Sequence, residues 1–167
     1  MWHLFCLVAR HGHEIWERAM QVAIELIAAR ILGEDIAYVV HNAPCGRATD
    51  PDTRVRAELA VHFPTLWLRR AIVRPAGWRY EDARVVLTYL AYSDELTTAQ
   101  LPLRIPILAV ENVRTGIAGV TARAMRELAR SAHEEPQRFQ RVLRASTLAA
   151  LGDLIAQHDG ARARAAG

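Results

Sequence analysis

Lysine is missing from the chain, and arginine supplies all 21 of its basic residues. Guanidinium groups stay charged at any relevant pH and can grip carboxylate or phosphate with two parallel hydrogen bonds. The basic surface therefore does not titrate, and it suits a small anionic ligand. The excess is slight: 21 basic against 18 acidic residues leave a formal charge of +3, too little to mark a nucleic-acid-binding protein. Cysteine is scarce as well. Cys6 and Cys45 are the only two, which excludes a disulfide framework, and no Cys-x-x-Cys pair exists to build a structural zinc site. No apolar run approaches the roughly 18 residues needed to span a bilayer. The apolar run over 2–9 lacks the basic flank and the length of a secretion signal. A soluble, cytoplasmic chain with no membrane segment is the expectation. Aromatics are sparse at 7% while hydrophobic residues reach 51%, a globular balance far from a disordered one. Neither a repeat nor an interdomain linker is visible, so residues 1–160 are expected to form one domain, followed by a flexible tail over 161–167.

The pattern of what is present predicts a mixed α/β fold. Residues 2–9 have the length of a buried strand. Over 14–32 the polar residues Glu17, Arg18, Gln21 and Glu25 share one narrow helical face opposite a wide apolar arc. This predicts a helix buried on more than one side, by the C-terminal helices or by another subunit, with Gly33 as its stop. A strand over 36–40 completes a βαβ unit, whose two strands should run parallel. Strict alternation over 55–63 predicts a half-exposed strand, paired with a second over 66–73. Residues 85–92 read as a strand buried on both faces, and 107–110 as an edge strand after Pro106. The remainder is helical. Asn112 caps a first helix to about His133, Pro136 opens a second, and Ser146 caps a third that ends at Gly160. The expected sheet has five or six strands, an N-terminal helix and a C-terminal helical cluster.

Chemistry-bearing residues gather where the first two strands should end. Arg10, His11 and His13 follow the first, and His41, Cys45 and Arg47 follow the second. In an open parallel α/β sheet, ligands bind outside the carboxyl ends of the strands. Imidazole, thiol and guanidinium there can serve a phosphate, a metal ion or a thiolate nucleophile, and equally the ordinary roles of polar loop residues. No particular cofactor is indicated. The run from an apolar strand into Arg10-His11-Gly12, followed by Asn42-Ala43-Pro44-Cys45-Gly46-Arg47-Ala48, resembles the histidine phosphatase superfamily over residues 2–48. That resemblance implies His11 as the group that accepts a phosphoryl unit, with Arg10 and Arg47 gripping it. The family's second catalytic histidine has no counterpart here, because the strand ending at residue 92 continues as Ser93-Asp94.

Two further patterns stand out. Arg123, Arg126, Arg130, Arg138, Arg141 and Arg144 would share a face if the C-terminal helices were collinear, although Pro136 should break that line. Among the aromatics Trp67, Trp78, Tyr80, Tyr89 and Tyr92, the pair Trp78 and Tyr80 follows a Pro-Ala-Gly turn, which leaves a rim position open to it, but packing in the core is the expected use of these rings. Two functional readings follow. The leading one is a binding or regulatory module, homo-oligomeric in one version. The alternative is a small phosphate-ester hydrolase, with His11 and Cys45 as catalytic groups and Arg10, His13, His41 and Arg47 holding the ligand.

Overall fold

Gly33, expected to stop a helix, instead turns a hairpin. The computed structural model describes residues 21–46, 49–66, 70–82 and 84–165, the stretch 157–165 as backbone only. Within it Gln21–Leu32 is strand β1 and Asp35–Cys45 is strand β2, paired antiparallel with Leu32 opposite Asp35. The connection is thus two residues long, and Gly33 takes a positive φ of 58°. Two-residue hairpin turns need this conformation, and glycine adopts it without a Cβ clash. The helix expected over 14–32 is therefore corrected from residue 21 onward. Its wide apolar arc is the signature of a strand buried on both faces, since Ile24 and Leu26 face one side while Ile27 and Ala29 face the other, all fully buried. The expected strand 2–9 and residues 14–20 lie outside the described residues.

The second correction concerns residues 55–63. Pro51–His62 is helix α1, not a strand. Asp50 caps it, with its carboxylate accepting from the Thr53 amide at 2.9 Å, and Pro51 occupies the first turn, where a missing N–H costs nothing. The apolar alternation was real, but Val55, Leu59 and Phe63 also recur at helical spacing and are buried, while Val61 stays 71% exposed. Ile72–Glu81 forms β3 and Arg84–Tyr92 forms β4, in place of the strand expected over 66–73. The turn expected at Pro75–Gly77 is instead a bulge inside β3, where the register with β4 shifts. Leu103–Pro106 is the edge strand β5, so Pro106 ends a strand, and Ile107–Ala109 is a short 3-10 turn.

These five strands make one mixed sheet in the order β3-β4-β1-β2-β5, with β1 and β4 parallel and every other neighbour pair antiparallel. Helices α2 (Gly116–Glu134), α3 (Pro136–Gln140) and α4 (Ala145–Ala165) cover one face. Pro136 opens α3 as expected, while α4 runs through Gly160. Met125, Leu128, Phe139, Leu151 and Leu154 pack there on Ile27, Ile36, Leu90 and Tyr92. On the opposite face Val55, Leu59 and Phe63 of α1 pack on Ile24, Leu26, Ala28, Cys45 and Tyr89. Each Val, Leu, Ile, Phe or Met among them contributes about 1.5–3 kcal/mol by leaving water. Asp94, just beyond β4, ties the sheet to α4. Its carboxylate accepts from the Arg144 amide at 2.9 Å, a backbone donor at the helix start, and from the Thr147 hydroxyl at 2.7 Å. No helix among the described residues is long and apolar enough to cross a membrane.

Candidate functional site

Of the six residues expected to converge, the structure describes two, His41 and Cys45. Arg10, His11, His13 and Arg47 lie outside the described residues. His41 is not at a strand end, because β2 continues four residues beyond it to Cys45. Side chains alternate along a strand, so His41 and Cys45 share the face that α1 covers. At about 3.4 Å per residue they stand roughly 14 Å apart, too far to hold one ion or attack one bond.

Each end of α1 seals one of them. Near its start, Cys45 is buried, and its thiol lies 3.5 Å from the Thr49 carbonyl oxygen and 3.8 Å from that of Gly46, positioned to donate to both. Burial pushes the Cys45 thiol up, against the pull of Arg54. Burial and the raised pKa both favour the neutral thiol over the thiolate that a nucleophile needs. Tyr89 beside it is also pushed up, first by burial and then by its hydrogen bond to Asp52. At the far end of α1, the His41 ring stacks on the His62 ring with centroids 3.7 Å apart and planes 13° from parallel. Phe63 meets His41 edge-on at 5.6 Å. His62 Nε2 lies 3.3 Å from one Glu58 oxygen, while Arg54 takes the other oxygen at 2.7 Å. Burial lowers the His41 pKa, the His62 charge lowers it further, and Glu58 pulls it back. No group of three His, Cys, Asp or Glu side chains among the described residues has the arrangement of a metal site.

Polar chemistry that sequence reasoning passed over sits on the α2 face of the sheet. Glu25 of β1 is 4% exposed and accepts two parallel bonds from the Arg79 guanidinium, each 2.8 Å, plus one from Thr88 Oγ1 at 2.9 Å. The hydrogen bond to Glu25 pushes the Arg79 pKa up. The only sequence signal for this cluster was Glu25 itself, an acid inside an apolar run. The arginine stripe does not form as one face: α2 ends before Pro136, and Arg126 turns in to the Val110 carbonyl oxygen at 2.9 Å and to Glu111.

Trp67 lies outside the described residues, and the other four aromatics divide cleanly. Tyr89 and Tyr92 are buried, while Trp78 and Tyr80 of β3 are 56% and 59% exposed and contact each other edge-to-face at 5.6 Å. They project from the sheet face opposite Arg79, next to Leu87 and Val85 of β4 in the pairing register. Among the described residues, β3 is an edge strand. No known protein-family model matches the chain, and no curated protein matches it either.

Proposed function

We propose that the chain is a non-catalytic binding module, at work in the cytoplasm, that engages its partner through the outer edge of β3. The observation that carries this reading is the exposure of Trp78 and Tyr80 on an edge strand. Tryptophan and tyrosine bury large areas at little conformational cost and are the residues most enriched at the energetic centres of interfaces. A strand edge adds a row of backbone donors and acceptors that a second extended segment can pair with. The free thiol of Cys45 suits a reducing compartment. The phosphate-ester hydrolase reading finds little support in Cys45, whose thiol is buried with its pKa raised, or in His41, which stands roughly 14 Å from it along β2, and its other groups lie outside the described residues.

Site-specific photo-crosslinking tests the proposal. A benzophenone side chain at position 80 should give one discrete adduct in intact cells. The same group at Val61, which is 71% exposed on α1, should give none. Equal labelling at both positions, or none at position 80, would remove the β3 edge as the working surface.

A further inference from the structure

The β3–β4 hairpin fixes which backbone groups of β3 have no ladder partner among the described residues. Glu81 pairs with Arg84 across a two-residue connection in which Asp82 has a φ of 45°. A two-residue hairpin turn closes on a hydrogen-bonded pair, and antiparallel pairs then alternate between bonded and non-bonded. Glu81, Arg79 and Gly77 therefore bond inward to β4. Tyr80 and Trp78 direct their N–H and C=O outward, away from the sheet. The same two residues carry the exposed rings, so backbone valence and apolar surface coincide on one short segment.

Natural edge strands are normally blunted by proline, bulges or charge. Here proline and the bulge are confined to the first half of β3, where Pro75 lacks an N–H and Ala76 is the extra residue of the bulge. The stretch 77–81 is regular, its two charges are of opposite sign, and no described residue covers its outer edge. Its sequence, Gly-Trp-Arg-Tyr-Glu, is also self-complementary when run antiparallel. With Tyr80 opposite its own copy, Arg79 of one chain faces Glu81 of the other and the reverse pair repeats. On the opposite face the two tyrosines meet directly, each with the other chain's Trp78 on its diagonal, which is within reach of aromatic side chains. A one-residue slip sets the outward-pointing backbone groups of one strand against inward-pointing ones of the other, and a two-residue slip toward the start of the strand sets Arg79 against its own copy.

We infer, resting on the edge-binding reading above, that the occupant is a second copy of this chain, joined β3 to β3 in an antiparallel pair centred on Tyr80. The contact is short, below the roughly 1,200 Å² of stable interfaces, so the dimer is a concentration-dependent one. It joins two five-stranded sheets into one continuous sheet.

Sedimentation velocity of the full chain across the micromolar range tests this, with melting temperature as the check on folding. The wild type should shift from monomer to dimer as concentration rises. Trp78→Ala should raise the dissociation constant by about 30-fold, the loss expected of a central tryptophan. Tyr80→Pro removes an outward N–H that no ladder bond uses, so it should fold and stay monomeric. Glu81→Arg should do the same by setting like charges opposite each other, and its present partners Arg84 at 3.0 Å and Arg79 at 3.6 Å are exposed pairs of little consequence for folding. A wild type that stays monomeric throughout would overturn the inference. So would a dimer indifferent to folded Trp78→Ala and Glu81→Arg. Adduct mass at position 80 separates the two levels: twice the chain's mass supports the second copy, any other single mass overturns it while keeping the edge-binding reading, and no adduct removes both.

Discussion

Replacing Arg79 with methionine strands the carboxylate of Glu25. That carboxylate is 4% exposed and now receives three hydrogen bonds, two from Arg79 at 2.8 Å and one from Thr88 at 2.9 Å. After the substitution only the Thr88 hydroxyl remains. Breaking a fully buried ion pair by removing one partner costs about 3–5 kcal/mol, because the other charge is left without compensation. The Arg79 side chain is 40% exposed, so water reaches that side of the pair and screens it. The expected loss is accordingly about 2–3 kcal/mol. In urea, with a slope of about 2 kcal/mol per molar, the midpoint should fall by about 1 M or slightly more at unchanged slope. The double variant Glu25→Gln/Arg79→Met keeps an acceptor for Thr88 and removes the charge. It should recover most of the loss, giving a coupling energy of about 2 kcal/mol. A loss under about 0.5 kcal/mol for Arg79→Met, or a double variant no more stable than the single, would refute the buried-pair argument.

Other consequences are open to the same kind of measurement. Leu59→Ala should cost about 2–5 kcal/mol in chemical denaturation, while Val61→Ala should stay within about 0.5 kcal/mol; a substantial loss at both sites would mean that 55–63 is the strand its alternation suggested. The folded-state pKa of His41 is lowered, first by burial, so the folded chain binds that proton less readily than the unfolded one. Its contribution is present above the unfolded value of about 6.5 and is lost as pH falls below it, and His41→Gln should flatten that loss between about pH 7 and 5. Unfolding free energies that rise on acidification in that window, and lose the rise in His41→Gln, would contradict the stacked arrangement with His62. Peptide mapping after brief iodoacetamide treatment at neutral pH should find Cys45 unmodified in the folded chain and labelled in urea; fast labelling of the folded protein would return the thiolate reading.

The parts of the fold that were legible in the sequence were those where one signal dominated. Residues 85–92 are apolar on both faces and β-branched at their start, and they form β4 buried on both sides. Pro136 marks a helix start because its ring fits only the first turn. Residues 21–32 misled because a strand buried on both faces and a helix buried on several sides leave the same wide apolar distribution, and Ala, Leu and Glu favour helix locally. Gly33 serves a helix stop and a hairpin turn equally well. In 55–63 the apolar residues satisfy both a period of two and a helical spacing, and the Asp50-Pro51 cap was the deciding signal. The candidate site depended on a strand over 2–9, which lies outside the described residues, and on a second strand that ended before His41. With β2 running on to Cys45, the two described residues part to opposite ends of α1. Packing was the expected use of Trp78 and Tyr80, yet both rings are exposed, because they alternate with the inward-facing Arg79 on a strand at the sheet edge and the preceding turn is a bulge.

Amide hydrogen exchange resolved at β3 tests the account most directly. The amides of Gly77, Arg79 and Glu81 should be protected at every protein concentration, because they bond to β4. Those of Trp78 and Tyr80 should exchange freely in dilute solution and gain protection as concentration rises, in wild type but not in Glu81→Arg. Protection at Trp78 and Tyr80 that is already high in dilute protein, or that never changes with concentration, would contradict a free edge built to pair.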